Sequence, residues 1–415
     1  MDGDATQEKQ NLSSGVDTVD APPNNYIYRK IDVAFVVCGI FTFLLDWGFD
    51  ILTAYKHWRD DDIIWFSFTV VFICVPSFVM TGVSLHWYVK DADNANVPKA
   101  SVSRWVVRIL FHILQLGPIL RYMDSLHYGL ISRRHWKQGD RKRQIEYYTY
   151  MLYEDGDSVF LRLFECFMEA APQLVLQLYI LSLVRKSEYG SDWFYILCIG
   201  CFTSLVSLAW GVTAFARGSR FTSMEKPNIS ILGSLVLMLW HLFSISARVT
   251  AMVLFASVFR PFLFIFCGVH WLIMVTWLMV RKSLKQMCNS VLGELGLSFI
   301  LGVIYIFVFI NEKEEDTKKK YIFFYTIFGI ENTIMVVVWL IYADTSVWYY
   351  IPGVVFHFSA FLLSLVLMGI YYGLLHPTLP SICNQERSQR RRRPEVDDNA
   401  EEEGEARAIT SQTVM

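Results

Sequence analysis

A polar side chain recurs at every fourth position of an otherwise apolar stretch, residues 164–177. The four are Glu165, Glu169, Gln173 and Gln177. Residues four apart share a helix face, so on a helix these side chains form one slowly rotating polar stripe. Carboxyl groups pair with cations, and amides hydrogen-bond polar groups. The pattern fits either the solvent-exposed face of a helix in a soluble protein or a polar strip inside a membrane. The surrounding sequence distinguishes the two.

Pro172 lies within this stripe. A proline in a helix removes one backbone hydrogen bond and crowds the carbonyl four residues earlier, here that of Met168. We therefore expect a helix break, seen as a bend or an unwound turn, beside the two glutamates.

Eight charged side chains lie in apolar blocks of the sequence. A charge at the centre of a membrane span costs roughly 2.5 to 3.5 kcal/mol, so eight cost about 20 to 28 kcal/mol, more than a typical net stability of about 5 to 15 kcal/mol. The eight are Asp46, Asp50, Arg121, Arg162, Glu165, Glu169, Arg248 and Glu331. They cannot all face lipid unpaired, so they form ion pairs between helices or line a hydrated furrow that polar solutes can use.

The balance of charge makes a polar path plausible, while pairing of the arginines stays open. Five acids stand against three arginines, and Gln173 and Gln177 extend the stripe beyond what three arginines could neutralise.

The whole chain has the composition of a polytopic membrane protein. Of 415 residues, 54% are hydrophobic and 16% are aromatic, and the apolar residues cluster in long blocks. A bilayer core about 30 Å thick needs roughly 20 helical residues, and lipid cannot satisfy open backbone groups, so helices must dominate. Ten blocks qualify: 31–57, 63–89, 104–132, 158–184, 193–217, 229–258, 260–283, 289–311, 321–343 and 347–376.

Loop charge indicates that two of these blocks do not cross. If all ten crossed, the basic loop 132–158 would lie opposite an N-terminus that carries Arg29 and Lys30, against the positive-inside rule. The conflict disappears if the third block, 104–132, and the eighth, 289–311, are re-entrant. The sequence therefore predicts an all-α polytopic membrane protein with eight transmembrane helices, two re-entrant helices and both termini in the cytosol.

The order of these segments repeats. Each half reads span, span, re-entrant, span, span, so we expect two pseudo-symmetric halves related by an axis normal to the membrane. The expected divisions are a disordered N-terminal tail (1–30), two membrane halves (31–217 and 218–377) and a disordered C-terminal tail (378–415).

Motifs for chemical catalysis are missing from the sequence. It contains no P-loop, no H-E-x-x-H, no G-x-S-x-G and no EF-hand pattern. Cys198-x-x-Cys201 has metal or redox spacing but lies in an apolar helix without a second Cys or His pair. We expect no enzyme, no cofactor, no metal and no nucleic-acid partner, and whatever uses a polar path must move down its own gradient.

Several stretches resemble the XK-related (Xkr) family of membrane proteins. The most specific is LRLFECFMEAAPQLVLQLYI at 161–180. It is supported by FLLDWGFDI at 43–51, ILQLGPILR at 113–121, ARVTAMVLFASVF at 247–259 and YYGLLHP at 371–377. The resemblance implies eight spans and two re-entrant helices, in agreement with the argument from loop charge.

Some members of this family are caspase-activated phospholipid scramblases. The resemblance implies that polar groups in the membrane lower the barrier for a phospholipid headgroup, while the tails stay in lipid. Asp46, Asp50, Glu165, Glu169, Arg121 and Arg248 look like the family's intramembrane charges, and Glu331 stands where an acid is also expected. Movement would be passive and would expose phosphatidylserine at the plasma membrane in apoptosis. An accessory membrane subunit or a homodimer is a further expected partner.

The N-terminal tail carries a candidate switch. Asp17-Thr18-Val19-Asp20 followed by Ala21 fits the D-x-x-D pattern that executioner caspases prefer. An N-terminal position resembles the nematode cell-death member of the family, whereas vertebrate members usually carry the site in the C-terminal tail. We expect cleavage after Asp20 to release tail contacts that hold an inactive conformation.

Two other functions remain open from the sequence. A charged groove equally suits a passive solute or ion transporter. A membrane adaptor for a partner protein would use the same charges only as structural pairs.

Overall fold

The computed structural model describes residues 27–92, 99–114, 116–184, 191–222, 229–281, 284, 291–310 and 318–376. Its helices are α1 (Lys30–Arg59), α2 (Ile63–Ala92), α3 (Val102–Ile113), α4 (Gly117–Gln138), α5 (Arg141–Glu165), α6 (Ala171–Leu183), α7 (Asp192–Thr222), α8 (Ile231–Val258), α9 (Arg260–Arg281), α10 (Val291–Phe307), α11 (Lys318–Tyr342) and α12 (Tyr350–Ile370). Two π-helical turns, Cys166–Ala170 and Tyr371–Leu375, join α5 to α6 and follow α12. The predicted caspase site, Asp17, Asp20 and Ala21, lies outside the described residues.

The predicted fold class is confirmed. Within the described residues the regular structure is helical, and eight helices are long and apolar enough to cross a bilayer. They are α1, α2, the continuous α5–α6, α7, α8, α9, α11 and α12 extended by its π-helical turn. The third and eighth blocks of the sequence fall on the helix pair α3–α4 and on the 17-residue α10, which are not among the eight.

One expectation was wrong: residues 132–158 are not a loop. α4 runs to Gln138, Gly139 turns the chain at a φ of +76°, and α5 begins at Arg141. The Asp140 carboxylate caps α5 by accepting a hydrogen bond from the Arg143 amide at 3.2 Å. A polar helix that packs on its neighbour contains no apolar block, so hydropathy does not mark it as a helix.

Packing between α4 and α5 stabilises this helical hairpin. Tyr128, Tyr148, Met151 and Leu152 form a small apolar core, which Tyr28 joins from the segment before α1. α5, the π-helical turn and α6 form one rod of 43 residues, about 64 Å long at 1.5 Å per residue and twice the thickness of a bilayer core. About half of the rod must therefore project beyond the hydrocarbon.

The membrane helices pack around α8 and around the α1–α5–α7 group. α8 contacts α6, α7, α11 and α12, and α1 contacts α2, α4 and α7. The predicted boundary after residue 217 lies within α7, and the repeat of two halves stays a prediction.

We expect the two natural sequons, at Asn11 and Asn228, to stay unglycosylated, because the predicted topology places both in the cytosol. Digestion of the cell-expressed protein with a glycosidase should leave its gel mobility unchanged. Tyr189→Asn creates a matched sequon with Gly190 and Ser191 between α6 and α7, on the predicted outer side, and should acquire a glycan. A glycan on Asn11 or Asn228 would contradict the topology.

Candidate functional site

The π-helical turn Cys166–Ala170 shapes the site. It precedes Pro172, which stands at the start of α6, and the chain stays helical through both, so the helix break expected at Pro172 is absent. A π-helical turn widens the backbone locally, and such turns are frequent at functional sites. Glu165 lies directly before this turn and Glu169 lies within it, so the turn sets how the two carboxyl groups face α1.

Arg162 of α5 holds the centre of the site. Its guanidinium is buried and donates hydrogen bonds to the Glu165 carboxylate and to the Ser207 hydroxyl of α7. The distance from Arg162 Nη2 to Asp46 Oδ2 on α1 is 3.8 Å. Ser204 donates to Asp46 Oδ1 at 2.7 Å. Polar contacts therefore join α1, α5 and α7 in the apolar interior.

Two further carboxyl groups at this point have no cation of their own. The residues Asp50 and Glu169 are only 5% and 6% exposed. Within the described residues, neither carboxyl group makes a hydrogen bond or an ion pair, and both lie near Asp46 and Glu165. We call Asp46, Asp50, Arg162, Glu165, Glu169, Gln173 and Gln177 the central cluster. It sets four carboxyl groups against one arginine.

The amides of the central cluster are also unsatisfied. Gln173 and Gln177 are buried, and none of their side-chain oxygen and nitrogen atoms has a hydrogen-bond partner among the described residues. Both line a cavity with Asp50 and Thr53. The cavity volume is about 10 Å³, about the space for one water molecule. Buried polar groups are normally paired, so four unpaired amide atoms on one face mark a place built for water or for a polar ligand.

The central cluster belongs to a longer polar seam between α1 and α7. On α1 the seam begins at Asp32, opposite Arg217 of α7, and ends at His57, whose ring lies 6.3 Å from that of Trp193. Twenty-five residues of helix span roughly 37 Å, more than the roughly 30 Å of a bilayer core. Val36, Gly39 and Phe43 interrupt the seam with an apolar section. The polar groups therefore reach both ends of the membrane region without forming an open channel.

Arg121 lies in a separate, neutralised cluster. Its Nη1 is 3.1 Å from Glu154 Oε2 and also bonds Asp157, while Nη2 donates to the Ser84 carbonyl at 3.2 Å. The guanidinium stacks 3.7 Å above the Tyr88 ring. These contacts join α2, α4 and α5, so Arg121 serves as a structural joint.

Arg248 and Glu331 form a closed pair in the other part of the molecule. Arg248 donates to Glu331 Oε2 at 2.9 Å, to Asn332 Oδ1 at 2.8 Å and to the Ile306 carbonyl at 2.9 Å. The second Glu331 oxygen is 2.9 Å from His270 Nδ1. The pair ties α8, α9, α10 and α11 together and leaves no spare charge.

The charges that the sequence groups together thus fall into three places. Asp46, Asp50, Arg162, Glu165, Glu169, Gln173 and Gln177 meet in one cluster, whereas Arg121 and the Arg248–Glu331 pair lie apart from it. Sequence reasoning missed the partners, which are Ser204, Ser207, Glu154, Asp157, His270 and Asn332. Only Ser204 and Ser207 carry a signal, as hydroxyls three residues apart in an apolar span.

No metal site accompanies the cluster in the part of the chain that the structure describes. No group of three His, Cys, Asp or Glu side chains there is arranged to hold an ion. Cys198 and Cys201 carry free thiols.

A bundle of eight apolar helices with an acid-rich seam buried between them defines a polytopic membrane protein. A family model described as XK-related protein matches residues 34–377. XK-related protein 8 of Tetraodon nigroviridis is 28% identical over 364 residues, which cover 86% of each chain. XK-related protein 8 of Gasterosteus aculeatus is 28% identical over 365 residues, which cover 85% of each chain. The chain belongs to the XK-related family.

Glu331, which is paired with Arg248, and Glu169, which has no cation beside it, should respond differently to neutralisation. Glu331→Gln leaves Arg248 without its counter-charge, and breaking a buried pair costs about 3 to 5 kcal/mol. Glu169→Gln replaces a buried carboxyl group that has no cation beside it with an amide of the same shape, so stability should hold or rise. Thermal unfolding of the purified proteins in one detergent measures both. If both variants lose thermal stability equally, Glu169 has a stabilising partner.

Proposed function

We propose that this protein is a phospholipid scramblase that moves phospholipids passively between leaflets. The observation that carries the proposal is the surplus of buried carboxyl groups in the central cluster, within a seam as long as a bilayer is thick. A carboxyl group buried without a partner costs stability whether or not it is ionised, so three uncompensated carboxyl groups are better explained by a ligand that they receive than by packing.

The chemistry of the central cluster fits phospholipid headgroups. Phosphatidylcholine, phosphatidylethanolamine and phosphatidylserine each carry an ammonium group, which a carboxylate attracts most strongly where the local dielectric is low. The Gln173 and Gln177 amides can replace part of the water that hydrates a phosphate. Polar groups along the seam would lower the barrier for the headgroup, while the acyl chains stay in lipid.

Movement of this kind needs no energy input and cannot sustain an asymmetry. The sequence contains no nucleotide-binding motif, so lipids would equilibrate in both directions. At a plasma membrane, with both termini cytosolic, the consequence would be exposure of phosphatidylserine in apoptosis. An accessory membrane subunit or a second copy of the chain are proposed partners.

Neutralising the unpaired acids should slow lipid movement. In liposomes with fluorescent phospholipids, Asp50→Asn and Glu169→Gln should each reduce the scrambling rate about tenfold, because a hydrogen bond to a charged group is worth about 1.5 to 3 kcal/mol. Asp192→Asn, which removes an exposed carboxyl group at the start of α7, is the matched control and should change nothing.

Three results would contradict the scramblase proposal in different ways. Solute flux without lipid flux would favour a transporter. Absence of either flux from folded protein would favour an adaptor. Unchanged scrambling by both variants would remove the central cluster from the mechanism.

Caspase cleavage after Asp20 is the proposed switch. Treatment of the reconstituted protein with an executioner caspase should raise scrambling, and Asp20→Ala should abolish both the cut and the rise, because caspases require aspartate at the cleaved position. Mass spectrometry of the new N-terminus at Ala21 identifies the cut. Full activation of Asp20→Ala by the same caspase would place the switch elsewhere.

A further inference from the structure

A second cavity lies at the end of the seam where α1 begins. Its volume is about 60 Å³, which is room for several water molecules. Side chains from α1, α4, α5 and α7 line it, together with Tyr28 from the segment before α1. We call it the inner cavity, and its polar wall consists of Tyr28, Asp32, Tyr122, Asp155 and Arg217.

Opposite charges face the inner cavity without meeting. Asp32 of α1 and Asp155 of α5 lie within electrostatic reach of Arg217 of α7, yet no ion pair within 4 Å joins them in the described residues. Asp32 uses one oxygen to accept the Arg29 amide at 2.8 Å, and Asp155 accepts only a long bond of 3.5 Å from Ser125. Each carboxyl group therefore keeps one oxygen without a partner.

The arginine is held in place by its other contacts. Nη1 of Arg217 donates to the Ile229 carbonyl at 2.8 Å and to the Ser234 hydroxyl at 3.0 Å, and the guanidinium lies 4.0 Å above the Phe35 ring. Nη2 and Nε make no hydrogen bond within the described part of the chain. A cation that is fixed but has donors to spare is suited to receive an anion.

The Tyr28 hydroxyl gives an independent sign of a ligand. Tyr28 is 1% exposed and lines the inner cavity, and its hydroxyl has no hydrogen-bond partner in the part of the chain that the structure describes. The ring cannot move away easily, because it fills the space over Gly129, where a Cβ would stand only 2.6 Å from it. A buried hydroxyl that stays unpaired in a polar cavity points to a group that completes it.

We propose that the inner cavity binds a phosphate ester that carries a primary ammonium, the chemistry of the phosphatidylethanolamine headgroup. A primary ammonium has three donors, and the inner cavity offers three acceptors: the spare oxygens of Asp32 and Asp155, and the Tyr28 hydroxyl. Arg217 faces the phosphate. A single ion would leave the opposite charge unpaired, whereas a zwitterion satisfies both, and a quaternary ammonium has no donors to give.

The position of the inner cavity connects it with the central cluster. Gly39 and Tyr122 form the wall between the two, and the Tyr122 ring would lie 3.2 Å from a Cβ at position 39. The Phe43 ring follows one turn further along α1, 5.4 Å from the Arg162 guanidinium. For a lipid ligand the inference rests on the proposed function, because the inner cavity would then bind the headgroup of a cytosolic-leaflet lipid before that headgroup moves past Tyr122.

Binding can be measured with short-chain lipids added to purified full-length protein in detergent. The ligands are dihexanoyl phosphatidylethanolamine, the matching phosphatidylcholine and phosphatidic acid, and free phosphorylethanolamine. The shift of the unfolding temperature with ligand concentration gives the affinity. We expect phosphatidylethanolamine to bind about tenfold more tightly than phosphatidylcholine.

Variants must weaken binding in a ligand-specific way. Asp155→Asn and Tyr28→Phe should lower the affinity for phosphatidylethanolamine about tenfold and leave that for phosphatidic acid, which has no ammonium, unchanged or higher. Arg217→Gln should weaken both, and Arg217→Lys, which keeps the charge, should restore part of the loss. Asp192→Asn is the control. A purely structural role would lower affinity for all ligands alike.

The outcomes separate this inference from the scramblase proposal. Binding of the lipid alone identifies a membrane headgroup, and binding of free phosphorylethanolamine as well identifies a site open to the soluble zwitterion. If the folded protein shows no saturable binding, or if the variants lose affinity equally for every ligand, the inner cavity is not the proposed binding site, even if scrambling persists. Ligand-specific binding by a protein that does not scramble lipids would support the headgroup site in the inner cavity and contradict the scramblase proposal.

Discussion

The cost of placing charge in a low-dielectric interior governs this structure. Each buried arginine must find carboxylates, carbonyls or hydroxyls on neighbouring helices, because lipid offers none. Arg121, Arg162 and Arg248 are all fully buried, and each joins at least three helices. The apolar helices supply burial, but these three polar joints specify which helices meet.

The three joints differ in charge balance, and that difference separates structure from proposed function. Arg248 is matched by one carboxylate and two neutral acceptors, and Arg121 by a surplus of acids at an end of the bundle that water reaches. Arg162 is outnumbered where the acids are buried and two amides are unpaired. Stability alone does not explain such an arrangement, since neutral residues would fill the same space at lower cost.

The hairpin of α4 and α5 links the membrane interior to the segment that precedes α1. Tyr28 packs into the apolar core of this hairpin and also lines the inner cavity, so the start of the described chain, the hairpin and the seam share one wall.

The sequence by itself determined the membrane class, the eight spans and the stripe from Glu165 to Gln177, because hydropathy and helical periodicity are local properties. It wrongly indicated a helix break at Pro172, where the structure instead has a continuous helix with a π-helical turn just before the proline. It misjudged 132–158, since a polar helix stabilised by its neighbour has no local apolar signal. Only the tertiary structure decided that Arg121 and Arg248 have carboxylate partners apart from the stripe, that Arg162 is outnumbered by acids that are themselves buried, and that Asp32, Asp155 and Arg217 share a cavity. Pairing depends on distances between helices far apart in the chain, and periodicity within one helix does not contain them.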